Sequence, residues 1–142
     1  DIVVTAPQSR GVVSAVGLER SAELESLFES DDIIQCSSFT SKEGVLKSDD
    51  NIVGVLLKGV DTLYDSSFYT SKIIEGMFPR IGEEPRTKDI LISQRMADKM
   101  DVEVGERIEM LFLDIDGGVL RDRFSLYGFS VRVFCGQNLR RR

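Results

Sequence analysis

Residues 110–120 read Met-Leu-Phe-Leu-Asp-Ile-Asp-Gly-Gly-Val-Leu, an apolar run that delivers Asp114 and Asp116, one residue apart, ahead of two glycines. Carboxylates so placed admit two readings, a phosphate-transfer site or a strand running into a turn. The choice rests on what else the chain supplies. Covalent phosphoryl chemistry needs a lysine and Mg²⁺ to offset charge on the transferred group, and the ion needs further carboxylates. The 26 residues after Asp116 contain one acid, Asp122, and no lysine, the last being Lys99.

The stretch resembles the first motif of the haloacid dehalogenase superfamily, an apolar strand followed by Asp-x-Asp-Gly. That resemblance implies Asp114 as nucleophile and Asp116 as acid and base of a phosphohydrolase. The family's remaining partners lie downstream on further strands, for which this chain has no room. The preferred expectation is a hairpin turn "DIDGG" between antiparallel strands, solvent-exposed and without a metal. A calcium loop begun at Asp114 fails as well, because Val119 and Ser125 stand where glycine and glutamate belong.

Other chemistries fare no better. With no histidine in the chain, a Ser-His or Cys-His nucleophile pair is excluded. Two cysteines, Cys36 and Cys135, cannot make a zinc site, and no glycine-rich phosphate loop is present. They allow one disulfide without demanding it. The expectation is that they are not bonded, with Cys36 acting as a small apolar residue in a core strand. Glu83-Glu84 and Asp49-Asp50 read as solvated loop charges, and Phe68, Tyr69 and Phe78 as anchors of a loop rather than a ligand cage. No catalytic, cofactor-binding or metal-binding residue is therefore expected. A formal net charge of −6 disfavours nucleic acid as a partner, and the one basic cluster is Arg140-Arg141-Arg142.

The elements that must position any site follow from composition and period. At 142 residues, 42% hydrophobic and 30% charged, the chain suits one domain with a real core. No apolar run reaches the ~18 to 20 residues that span a bilayer. The chain opens on Asp1, without a methionine, and is expected to be a mature or excised piece of something longer. "DIVVT" has strand composition over Ile2–Thr5, and residues 7–17 a loop composition. Ser21 caps a helix through "SAELESLFES", whose Leu24, Leu27 and Phe28 share one face. Strands are expected over Ile33–Thr40 and Ile52–Val60, joined by a link through Gly44 and Ser48–Asn51, the second strand buried on both faces. Residues 62–89 read as loops and short turns. Ile90–Ile92 is a short strand, Ser93 caps a helix carrying Met96, Ala97 and Met100, Gly105 turns the chain, and Arg107–Asp114 and Arg123–Val133 are strands. The fold class expected is α+β, a mixed sheet with a few short helices.

Residues 90–113, "ILISQRMADKMDVEVGERIEMLFL", carry a second resemblance. An apolar strand ending in serine, a helix with a central alanine, a Gly-acid turn and a strand resemble the extracytoplasmic domain of ABC-transporter permeases of the LolC/LolE, FtsX-like and MacB type. Ser93, Ala97, Gly105 and Glu106 stand in those places, with Glu for the commoner Asp. "NIVGVLLKGVD" (51–61), "IIEGMFP" (73–79) and "DRFSLYGF" (122–129) resemble three further elements of the family, in order. The lipoprotein-releasing branch is the most similar.

The resemblance implies a domain over 1–129, hung between membrane helices on the periplasmic side of the bacterial inner membrane, with a smaller distal lobe over about 73–120. It implies substrate handling or the docking of a periplasmic carrier or adaptor. The ATP-binding subunit and a second permease subunit are further partners, and there is no catalytic residue in the domain itself. Strands Ile2–Thr5 and Phe124–Phe129 should then run antiparallel in one sheet. A free-standing secreted interaction module is the alternative. After Gly128 the family pattern ends, and residues 130–142 read as a cloning or reading-frame artefact to which no function is assigned.

Overall fold

A computed structural model describes residues 4, 17–19, 21–83, 87–114, 116–131 and, for the backbone alone, 135–137. The expectations for Ile2–Thr5 and residues 7–16 lie outside these residues. The elements are α1 (Ala22–Phe28), β1 (Phe39–Lys47), β2 (Ile52–Val60), α2 (Ser67–Thr70), β3 (Ile73–Gly76), β4 (Asp89–Ser93), α3 (Gln94–Met100), β5 (Arg107–Leu113), β6 (Val119–Ser130) and β7 (Cys135–Gln137). The fold is a mixed α/β one, a curled and mostly antiparallel sheet with three short helices among the described residues.

The sheet order is β3-β6-β4-β7-β2-β1-β5, and β5 pairs again with β6, so six of the strands close on themselves. Among the described strands only β4–β6 and β2–β7 run parallel. The long strand β6 makes this possible. Its first half, to Ser125, pairs with β5, and its second half pairs with β4 and β3. The ladder shifts at Tyr127, where Leu126 faces Ile90 but Gly128 faces Leu91. One extra residue of this kind bends a strand and adds twist, which suits the change of partner.

Alternation fills the interior. Ile108, Met110 and Phe112 of β5 face Phe124 and Leu126 of β6, with Leu46, Leu57, Ile90 and Ile92 completing a buried cluster. Helix α3 closes it. The Ser93 hydroxyl accepts from the Met96 N–H at 3.2 Å, which satisfies one of the helix's free donors, and Ala97 and Met100 are buried. Val60 and Leu91 form a smaller cluster, covered by Tyr64, Tyr69, Ile73, Phe78 and Ile81.

Several expectations hold: the Ser21 cap of α1, β2, the Ser93-capped helix, and the strands of residues 90–92 and 107–113. Others need correction. Ile33 and Ile34 lie in exposed loop, and the strand expected there begins at Phe39. Gly44 belongs inside that strand instead of a link, because a Cβ there would stand 2.9 Å from both the Phe112 ring and the Leu111 carbonyl. Glycine in a strand marks such a close approach as readily as a turn. β2 is not buried on both faces, since Ile52 and Leu56 are exposed. The apolar face of α1 buries no residue fully, with Leu24 and Phe28 half-buried and Leu27 63% exposed. Cys36 is a free thiol but an exposed one, in the loop before β1 rather than the core. The last long strand starts four residues earlier than expected, at Val119, and runs through Gly128 to Ser130.

The segment expected to be loops, 62–89, gains α2 and β3. Strands β3, β4 and β5 are hydrogen-bonded into the same sheet as β1 and β2. Among the described residues no helix is long and apolar enough to cross a membrane.

Candidate functional site

Asp114 and Asp116 sit at the tip of the β5–β6 hairpin. Leu113 pairs with Val119, the Asp114 N–H donates to the Gly118 carbonyl at 2.7 Å, and the Gly117 N–H donates to the Asp114 carbonyl at 3.0 Å. Gly117, with φ 79°, takes the left-handed conformation that a side chain would resist. The turn expected from "DIDGG" is the turn observed. Asp114 is half-buried and Asp116 exposed. Asp122, the one downstream acid, lies eight residues along from Asp114 and is paired with Lys88. No group of three or more acids or cysteines among the described residues is placed to hold a metal ion.

The aromatics of the 61–81 segment anchor it. Tyr69 stacks with Tyr64 at 5.9 Å and with Phe78 at 6.2 Å, and Phe68 meets its edge at 5.3 Å. Tyr69 and Phe78 pack on Val60 and Leu91, whereas Phe68 remains 62% exposed. Asp61 ties the start of the segment, accepting from the N–H groups of Ser38 and Leu63 at 2.8 and 3.0 Å. At the start of α2 the Ser67 N–H, with its hydroxyl, holds the Asp65 carboxyl below the ordinary carboxylate value. A lowered folded-state pKa stabilises the fold above the unfolded value of ~3.9, and that contribution is lost as pH falls through the folded value.

Asp89 is buried at the start of β4, and its carboxylate accepts from Arg80 Nε at 3.0 Å. The half-exposed guanidinium lies over the Tyr127 ring at 5.1 Å, and the hydrogen bond to Asp89 holds its pKa above the ordinary value. Removing the cation strands a buried carboxylate, which costs more than removing the pair. Arg80→Ala is therefore expected to lower the thermal midpoint by several degrees, and adding Asp89→Ala to restore most of the loss. A double variant as unstable as the sum of the two single losses would contradict this reading, and thermal melts of the four proteins decide it.

The larger of the two clefts described has a volume of about 600 Å³. It lies where the β1–β2 turn, the end of α3 and the start of β5 come together. Its lining divides by charge. Asp49 and Asp50 of the turn, with Asp101 and Glu106, make an acidic rim, and Lys47, Arg107, Arg121 and Arg123 make a basic floor around Glu109. The register explains the floor. Lys47 of β1 and Arg123 of β6 stand either side of Glu109 on β5. Arg121 and Arg123 share that carboxylate at 3.5 and 4.0 Å, and both remain about 70% exposed (68% and 72%). Ser48 Oγ, in the same cleft, is buried without a hydrogen-bond partner among the described residues.

Reading along the sequence misses this arrangement. Its signal is the alternation Arg-Asp-Arg at 121–123, which places two cations on one face of a strand. The residues opposite them become visible only once β1, β5 and β6 are paired. Asp49 and Asp50, expected as solvated loop charges, are exposed and lie on the rim. Comparison of the sequence with protein-family models and with curated proteins gives no match.

Proposed function

We propose that this chain is the extracytoplasmic domain of an ABC-transporter permease of the LolC/LolE, FtsX-like type. On this reading it has a MacB-like fold and lies on the periplasmic side of the bacterial inner membrane. It handles substrate or docks a carrier or adaptor, and ATP is hydrolysed in a separate subunit. A second permease subunit completes the assembly, and lipoprotein release or export is the transport step. The domain itself does no covalent chemistry.

One observation carries the reading. The four elements with family-like sequence, in family order, all contribute to one sheet. They are β2 with the Asp61 that follows its Gly-Val end, β3 leading to Pro79, the β4–α3–β5 unit turning at Gly105, and the second half of β6. Two of their glycines meet, since Gly76 and Gly128 are register partners. The pattern thus has a physical basis in close backbone packing, beyond a likeness of letters.

The test is the complete reading frame that encodes the chain. A permease requires one apolar span of about 20 residues before this region and further spans after it. Absence of any such span would sink the proposal in favour of a free-standing interaction module.

A further inference from the structure

We propose that the basic floor of the cleft binds an extended acidic segment of a partner protein, with carboxylates at alternate positions along the segment. The proposal goes beyond the permease reading and does not depend on it. It starts from the arrangement of charge. Four cations, Lys47, Arg107, Arg121 and Arg123, surround one carboxylate, Glu109, on the outward face of three paired strands. The Glu109 carboxylate lies 3.5 and 4.0 Å from the Nε atoms of Arg121 and Arg123. A guanidinium carries five donors in a fixed fork, and each of these keeps most of its donors for another partner.

Spacing selects the ligand. Arg121 and Arg123, two residues apart on β6, have backbones ~6.8 Å apart, and Lys47 and Arg123, two strands apart, ~10 Å. The Arg121 and Arg123 guanidinium groups already converge on the Glu109 carboxylate, which repels a compact oxyanion that tries to sit between them. An extended peptide matches the separation along β6, because its own alternate side chains repeat at the same ~6.8 Å. Its carboxylates reach the arginines from outside and leave Glu109 in place.

The acidic rim sets direction. Asp49, Asp50, Asp101 and Glu106 repel an acidic chain that runs toward the β1–β2 turn, so the segment lies along the Arg121–Arg123 stretch of β6, short of Asp114 and Asp116 at the hairpin tip. The chain's net charge of −6 opposes polyanions in bulk, which leaves recognition to this local patch.

The probe is a fluorescently labelled peptide of alternating Glu and Ser, flanked by Gly, titrated with the whole chain and followed by anisotropy. Saturable binding at 50 mM salt, at least tenfold weaker at 300 mM, is expected. The same peptide with Gln for Glu should not bind. Arg121→Glu/Arg123→Glu should lose binding at least tenfold while keeping the far-ultraviolet dichroism of the parent, and should instead take up the peptide with Lys for Glu. Lys72→Glu, on β3's side of the sheet, should leave binding unchanged. Four results would each overturn the proposal: equal binding of the Gln peptide, no binding at 50 mM salt, displacement by equimolar pyrophosphate, or tighter binding of a single-stranded oligonucleotide of equal charge.

Discussion

Replacing Phe124 by alanine is expected to cost about 3–5 kcal/mol of folding stability. Phe124 is 2% exposed and sits on β6 directly opposite Ile108. Its ring meets Phe112 edge to face at 6.4 Å, and both belong to the cluster that fills the closed sheet. The deletion removes aromatic area and leaves a void that a ring of paired strands cannot collapse to fill, because each strand is held on both sides. Phe124→Leu should cost much less, since most of the volume remains. Urea unfolding of the two variants measures this, with the slope unchanged if the native fold persists. A loss below ~1 kcal/mol for Phe124→Ala would mean that the cluster is not the core.

Gly76→Ala is the second large effect. Gly76 has φ +75°, and an added Cβ would stand 2.3 Å from the Tyr127 carbonyl and 2.7 Å from the Gly128 Cα. The left-handed conformation costs an alanine ~1–2 kcal/mol, and the overpacking against backbone that cannot rotate away adds ~1–3. Gly128→Ala meets the same contact from the other strand, with a Cβ 2.4 Å from the Met77 carbonyl. The two changes open one interface, so together they should cost less than their sum. The local readout is hydrogen exchange at the Met77 N–H, which donates to the Tyr127 carbonyl at 2.9 Å. Rapid exchange there with β1–β2 protection intact is the expected pattern. Unchanged exchange would show that β3 tolerates the Cβ.

What was legible in the sequence divides by the range of the interaction that decides it. Ser21 and Ser93 announced helices because a cap is local, a hydroxyl three residues from the N–H that it accepts. "DIDGG" announced its turn for the same reason. The alternation in residues 107–113 fixed which side chains face inward, and Ile108, Met110 and Phe112 do.

Gly44 misled, because its reason lies on another strand, in the Phe112 ring. Ile33 and Ile34 misled because β-branched composition marks a preference for strand and not a partner to pair with, and both are exposed. The cleft was invisible for the same physical reason. Lys47, Glu109 and Arg123 are far apart in sequence, and their row exists only after β1, β5 and β6 find their register. Gly76 and Gly128, by contrast, stood out as a pattern before their contact gave the pattern a cause.

The measurement that bears most directly on the proposed function uses Cys36. Its thiol is free and exposed in the loop before β1, so it reports the compartment that the domain occupies. The full-length protein is expressed in cells whose outer membrane has been removed, and a maleimide that cannot cross the inner membrane is added before or after lysis. Cys36→Ser supplies the background from other thiols. An extracytoplasmic domain predicts labelling of Cys36 in intact spheroplasts, equal to that after lysis. Labelling that appears only once the inner membrane is broken would place the domain in the cytoplasm and contradict the account.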